Sequence, residues 1–257
     1  MKDPRASMFC AMTGSSKKVS RRQIESLPEA WSRIADQGWL GTVDAESRDR
    51  LRTIARLRDV AKGEFVYRVG DRPDGVYGLV SGLLDISIPR ADGEEITIHR
   101  VEAGYWVGDL AMFAKHVRLA SLCAIEDSRL VQLPQDKLIS LVKSYPDLMT
   151  QFYSLTRKNF ELALNILGNL SITPSDFRVA LRLLLHDENV EPGERWIRLS
   201  HEDLAGMLAL SLPTLQRALR RLEERKLIET GYRRIRVLDR AGLLRYCGDM
   251  TLEAVTA

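Results

Sequence analysis

The sequence predicts an α+β fold: an N-terminal β-roll of jelly-roll type, a long dimerisation helix and a C-terminal winged helix-turn-helix. Three observations lead there. Through the first half, apolar residues alternate with a period of two, as in Phe65, Tyr67, Val69 and in Leu84, Ile86, Ile88, with glycines at 63, 70, 75, 82, 93, 104 and 108 between the runs. Many short strands joined by turns give that pattern. A seam follows at Leu148, Phe152, Leu155, Asn159, Leu162 and Ile166 in alternating steps of four and three, a mean period of ~3.5 residues that marks a coiled-coil face. Beyond residue 200, two short helical patterns with capping residues precede a basic hairpin.

A chain of 257 residues divides naturally into two domains and a linker. With 45% hydrophobic and 28% charged residues, its composition is that of a globular protein, neither disordered nor fibrous. Cys10, Cys123 and Cys247 are widely scattered, which leaves no disulfide framework and no Cys/His cluster at metal-ligand spacing. No apolar run approaches the ~18–20 residues that span a bilayer. No signal-peptide core follows Lys2 and Arg5, so no membrane partner is expected and the expected compartment is the cytoplasm.

Residues 1–27 read as a flexible basic tail, with Lys2, Arg5, Lys17, Lys18, Arg21 and Arg22 among few apolar anchors. The sensor unit is expected over 28–133. Trp31, Ile34 and Ala35, then Leu51, Ile54 and Ala55, recur at helical spacing around Gly38 and Gly41, predicting two flanking helices. Asp92-Gly93 separates the alternating run 84–88 from Ile96-Thr97-Ile98-His99, and its glycine supplies the positive φ of a tight hairpin. Strand character resumes over 121–133. After Pro134 the period turns helical, and 134–170 is read as a connector and dimerisation helix. In a parallel dimer Asn159 would pair with its counterpart and fix the register; a buried helix within a monomer is the competing reading.

The last unit spans 171–257. Thr173, Pro174 and Asp176 form a start signal for a helix from 175 to about 186. Ser200-His201-Glu202-Asp203 starts another, and Ser211 caps a third with Pro213 in its first turn. Two helices joined by Leu210-Ser211-Leu212-Pro213 fit a helix-turn-helix whose second helix enters a DNA major groove. Residues 227–237 predict two strands meeting at the basic turn Tyr232-Arg233-Arg234, a wing. From 212 to 240 nine Lys or Arg stand against four acids, the footprint of a phosphate-binding surface or, equally, of a solvated arginine-rich face.

The order of these elements resembles the Crp/Fnr family, the cyclic-AMP receptor and fumarate-nitrate regulator group of bacterial transcription regulators, over roughly residues 40–245. Lys62-Gly63-Glu64, Gly70-Asp71, Asp74-Gly75-Val76-Tyr77, Ser81-Gly82 and Glu126-Asp127-Ser128-Arg129-Leu130 match that family's cyclic-nucleotide-binding-like β-roll. Leu199-Ser200-His201-Glu202-Asp203-Leu204-Ala205 and 211–219 match its helix-turn-helix. The resemblance implies a homodimer through the helix around Leu148 to Ile166. Its two recognition helices would read an inverted repeat of double-stranded DNA under the control of an effector bound in the β-roll.

The effector site so implied comprises Gly108, Asp109, Leu110, Ala111, Arg118, Leu119 and Ala120, with Asn159 on the long helix facing it. In the family a Gly-Glu-Leu-Ala run and an Arg-Ser-Ala hold a cyclic phosphate and a ribose hydroxyl through helix amides, arginine and glutamate. Here Asp109 is one methylene shorter and Leu119 replaces the hydroxyl. Both changes weaken a cyclic-nucleotide fit, since a lost hydrogen bond to a charged group costs about 1.5–3 kcal/mol. The effector stays open among cyclic AMP, another small molecule or anion, and no ligand at all. An iron–sulfur cluster is not expected, because Cys10 is alone in the N-terminal region. A haem would need His99 or His116, and each reads better as an ordinary core or surface histidine.

On the DNA side the resemblance assigns base contacts to the first turns of the second helix, Arg217 to guanine and Gln216 to adenine. Thr214, with Ser211 beside it, is assigned to phosphate. Leu212 and Pro213 stand where the family has an Arg-Glu pair, so the half-site should differ from that of the cyclic-AMP receptor. Arg220, Arg221, Arg233, Arg234 and Arg236 are candidates for backbone contacts. RNA polymerase is the further partner if the protein activates transcription, though no surface for it stands out. A nucleotide-sensing module whose helix-turn-helix serves protein contacts is the alternative function. No GxSxG, HExxH, P-loop or strand-borne GxGxxG is present, so an enzyme is not expected.

Overall fold

The computed structural model describes residues 26–187 and 196–248. The expected basic tail, but for its last two residues, lies outside them, as does Cys10. Helix α1 (Leu27–Ile34) opens with a capping box between Ser26 and Glu29, which satisfies backbone donors that the first turn leaves unpaired. A 3-10 turn at Leu40–Thr42 leads to α2 (Ala45–Ile54), capped by Asp44. Eight strands follow: β1 (Arg56–Val60), β2 (Phe65–Tyr67), β3 (Gly75–Ser81), β4 (Leu84–Pro89), β5 (Glu95–Val101), β6 (Trp106–Val107), β7 (Ser121–Ala124) and β8 (Ser128–Pro134). They form two antiparallel four-stranded sheets, in the orders β1-β8-β3-β6 and β2-β7-β4-β5.

The predicted hairpin joins β4 to β5 in the register Leu84↔Val101 to Pro89↔Glu95, with Gly93 at φ +87°. Trp106 is the centre of the first core: Trp39 and Trp31 meet its ring edge-on at 5.4 and 6.3 Å. Gly78 makes this possible, since a Cβ there would lie 2.4 Å from the indole. The Trp39 indole N–H donates to the Gln151 carbonyl at 2.9 Å, fastening the N-terminal helices to the long helix.

Helix α3 (Asp109–Ala114) lies between β6 and β7, and α4 (Gln135–Ser144) precedes α5 (Leu148–Ser171). The predicted seam on α5 turns inward. Leu148, Phe152 and Leu155 are fully buried against the protein's own β-roll, with Phe152 5.2 Å from Trp39 and 4.9 Å from Phe113. Asn159 donates to the Trp106 carbonyl and to Asp109, both at 3.2 Å, so its amide nitrogen is engaged within its own chain. A different stripe, Met149, Tyr153, Phe160, Leu164 and Leu167, faces solvent. Steps of three and four recur on every side of a helix. Both faces of α5 are apolar, and the β-roll covers the one that carries the 148–155 part of the seam.

The C-terminal unit packs α6 (Ser175–Asp187), α7 (His201–Met207), α8 (Leu212–Glu224) and α9 (Arg240–Cys247) around a core of Val179, Leu183, Leu204, Leu215, Leu219 and Ile235. A three-stranded sheet in the order β10 (Ile228–Gly231), β11 (Arg234–Val237), β9 (Trp196–Ile197) completes it. Ser200 and Asp203 form a reciprocal capping box on α7, and Ser211 caps α8. Helix α7 lies against β5 of the sensor. At this junction the buried rings of His99 (β5) and His186 (α6) stack with centroids 4.5 Å apart.

Candidate functional site

Gly108, Asp109, Leu110, Ala111, Arg118, Leu119, Ala120 and Asn159 all line one cavity of about 280 Å3 between α3, the 118–120 segment and α5. Tyr67, Val107, Thr156, Phe160 and Ala163 complete its wall. Gly108 takes φ +105° as it enters α3, a conformation that disfavours any side chain. A Cβ there would also press to 2.6 Å from the Arg118 guanidinium.

Arg118 is 2% exposed. Its Nη1 donates to the Gly108 carbonyl at 2.8 Å, and its Nη2 to the Gly75 carbonyl at 2.8 Å and Asp74 Oδ1 at 3.0 Å. Its face lies 4.2 Å from the centre of the Tyr67 ring. Asp109 is likewise 2% exposed and accepts from the Thr156 hydroxyl and the Asn159 amide. Burial holds its carboxyl above the usual carboxylate range, against the opposing pull of those donors. Burial also pushes the Tyr67 phenol upward, so it stays protonated.

A cyclic nucleotide does not fit this arrangement. Its phosphate needs a guanidinium fork turned toward it, whereas both terminal nitrogens of Arg118 are engaged inside the fold. Its ribose needs an acceptor that reaches out, whereas Asp109 is drawn back onto α5. The shorter side chain and the apolar Leu119 were visible in the sequence; the internal commitment of Arg118 was not, because its partners come from β3 and from the segment before it.

Helix α8 buries Leu215, Ala218, Leu219 and Leu222 and exposes Gln216, Arg217, Arg220 and Arg221. At its start the Ser211 and Thr214 hydroxyls share a 2.8 Å hydrogen bond, and Arg217 donates to Thr214 at 3.4 Å. This places Ser211, Thr214 and Arg217 together at the leading end of the helix. The predicted backbone-contacting arginines fall into two groups. Arg220 and Arg233 are exposed. Arg221 pairs with Asp176 at 3.4 Å and Arg236 with Glu229, while Arg234 and Arg236 stack on Trp196 at 4.2 and 4.8 Å. Sequence reasoning passed over Tyr232, which is 90% exposed at the tip of the wing. An aromatic residue beside two arginines in a polar turn was the available signal. Thr156 and Phe160 were missed for the cavity, since a helical residue's direction follows from packing that the sequence does not state.

Residues 57–145 match the cyclic nucleotide-binding domain family, and residues 177–246 match the Crp-like helix-turn-helix domain. The transcriptional regulatory protein btr of Bordetella pertussis is 30% identical over 198 residues, covering 74% of this chain and 80% of that protein. The cAMP-activated global transcriptional regulator CRP of Salmonella typhimurium is 23% identical over 164 residues, or 62% of this chain and 78% of the other. The solved structure of FixK2 from Bradyrhizobium japonicum superposes with a TM-score of 0.68 at 20% identity, covering 77% of this chain and 100% of that one. With both of its domains matched in the right order and a relative matched across most of its length, this chain belongs to the Crp/Fnr family of transcription regulators.

Proposed function

We propose that this regulator is a homodimer that reads an inverted repeat of double-stranded DNA, under the control of an effector bound in the cavity beneath α3 and α5. The observation that carries the reading is the outer face of α8. It is anchored by four buried apolar residues, presents Gln216, Arg217 and Arg220 to solvent, and is flanked by the arginine-bearing β10–β11 hairpin. Gln and Arg side chains pair bidentately with adenine and guanine edges in the major groove, and exposed arginines near them neutralise phosphate. Dimerisation is supported by the solvent-facing stripe of α5. Large apolar side chains repeating along one side of a 24-residue helix are the surface that a second copy buries.

Among the described residues no helix is long and apolar enough to cross a membrane. A cytoplasmic location without catalytic activity belongs to the proposal, as does RNA polymerase as the partner of an activating form.

Selection of duplexes from a random-sequence pool, with the purified chain at moderate salt and then with Arg217→Ala, tests it. The expected result is an inverted repeat with half-sites about one helical turn apart, relaxed at one base position in the variant. Salt-insensitive or absent binding to every duplex would overturn the DNA reading and favour a helix-turn-helix used for protein contacts.

A further inference from the structure

The geometry points to an uncharged, mainly apolar small molecule as the effector. This inference rests on the effector-controlled reading above and specifies the chemistry of that same cavity.

Positive charge is turned away from the space. Arg118 satisfies two backbone carbonyls and Asp74, packs on Tyr67, and leaves only Nε without a partner. A phosphate would have to take the guanidinium from carbonyls that are themselves buried acceptors, and an unpaired buried acceptor is costly.

Negative charge, by contrast, stands at the wall. Asp109 is buried there with Thr156 and Asn159 as its donors. An entering anion meets a carboxylate, and like charges repel.

The remaining surface is apolar. Leu110, Leu119 and Phe160 border the cavity and are 52%, 66% and 61% exposed. Large apolar groups left open around a concave space are the usual lining of a small-molecule site, in which a few polar groups fix orientation. A volume of about 280 Å3 lies just below the range for such sites, roughly 300–1,000 Å3.

Fluorescence titration of the full chain with N-phenyl-1-naphthylamine, an uncharged aromatic amine with a single N–H, tests the inference. Saturable enhancement is expected, with no displacement by millimolar cyclic AMP. In Leu119→Glu, a change at an exposed position that leaves the fold intact, affinity for the probe should fall roughly tenfold or more as apolar contact is lost and a charge is added. Displacement of the probe by cyclic AMP would overturn the ligand class and leave effector control standing. Unchanged probe affinity in Leu119→Glu would place binding elsewhere and also overturn the inference. Absence of saturable binding by both probe and cyclic AMP would remove effector control at this cavity as well.

Discussion

Arg100 on β5 holds Asp85 with two nitrogens, at 2.6 and 2.9 Å, and reaches Asp203 on α7 with a third at 2.9 Å. One buried guanidinium thus ties the sensor sheet to the carboxylate that also closes the capping box of the first helix of the helix-turn-helix. Burial works against charge on both partners, but the Arg100 charge and the Ser200 hydrogen bonds outweigh it at Asp203 and hold its carboxyl below the usual range. In Asp203→Asn the charged partner is lost, at a cost of about 1.5–3 kcal/mol. Faster amide exchange in β5 and α7 together is the expected outcome; protection unchanged in either element would show that the tie does not hold the domains.

The same junction should be sensitive to acid. Burial, with the charge of Arg182 added, lowers the pKa of His99 to about 3. Burial, then His99, Arg182 and Arg100, takes His186 well below its ordinary value. Both are therefore neutral when the domains are docked and bind protons more readily when exposed. A depressed base contributes fully above the exposed pKa of about 6.5, and its contribution is lost as pH falls below it. At pH 5 His99 should disfavour docking by about 2 kcal/mol, and His186 should act in the same direction. Small-angle scattering at pH 7.5 and 5 should show expansion that is blunted in the double variant His99→Phe, His186→Phe.

The two faces of α5 should respond oppositely to substitution. Tyr153→Glu and Leu167→Glu, on the exposed stripe, should shift the sedimenting species from dimer to monomer with little change in Tm extrapolated to low concentration. Phe152→Ala, in the tryptophan core, should cost about 3–5 kcal/mol of folding stability. Equal effects of both kinds on assembly would return the interface to the inward seam.

At the wing, Tyr232 and Arg233 project from the β10–β11 turn, with Arg233 at φ +55°. Arg233→Ala should weaken binding to all duplexes alike and reduce the slope of log affinity against log salt by about one. Arg217→Ala should cost about 1–3 kcal/mol at one base position and leave the others ranked as before. Affinity measured across a salt series on matched and mismatched sites separates the two.

Much of the fold was legible because its signals are local. The Asp92-Gly93 turn, the Ser200 and Ser211 caps and the glycine spacing each act over a few residues, and each is where the sequence puts it. The cavity residues were legible through family resemblance, since Gly108 to Ala111 and Arg118 to Ala120 keep the spacing of the motif. What the sequence did not reveal depends on partners far along the chain. Asn159 looked like a polar residue set in a dimer seam and proves to be bonded to Trp106 and Asp109. Arg236 looked available for phosphate and is paired with Glu229 and stacked on Trp196. In each case a long-range neighbour that periodicity does not report decided the role.

Phe160 belongs both to the cavity wall and to the outward stripe of α5. In the proposed dimer a single ring would therefore stand on the boundary between what a small molecule covers and what a second subunit covers. Occupancy of the cavity and association of two chains draw on the same side chain, and thermodynamic linkage makes their influence mutual: the factor by which a partner changes ligand affinity is the factor by which ligand changes dimer affinity. In the proposed effector-bound dimer, dilution would then become a signal in its own right, and the protein's abundance in the cell would set the concentration of effector to which it responds.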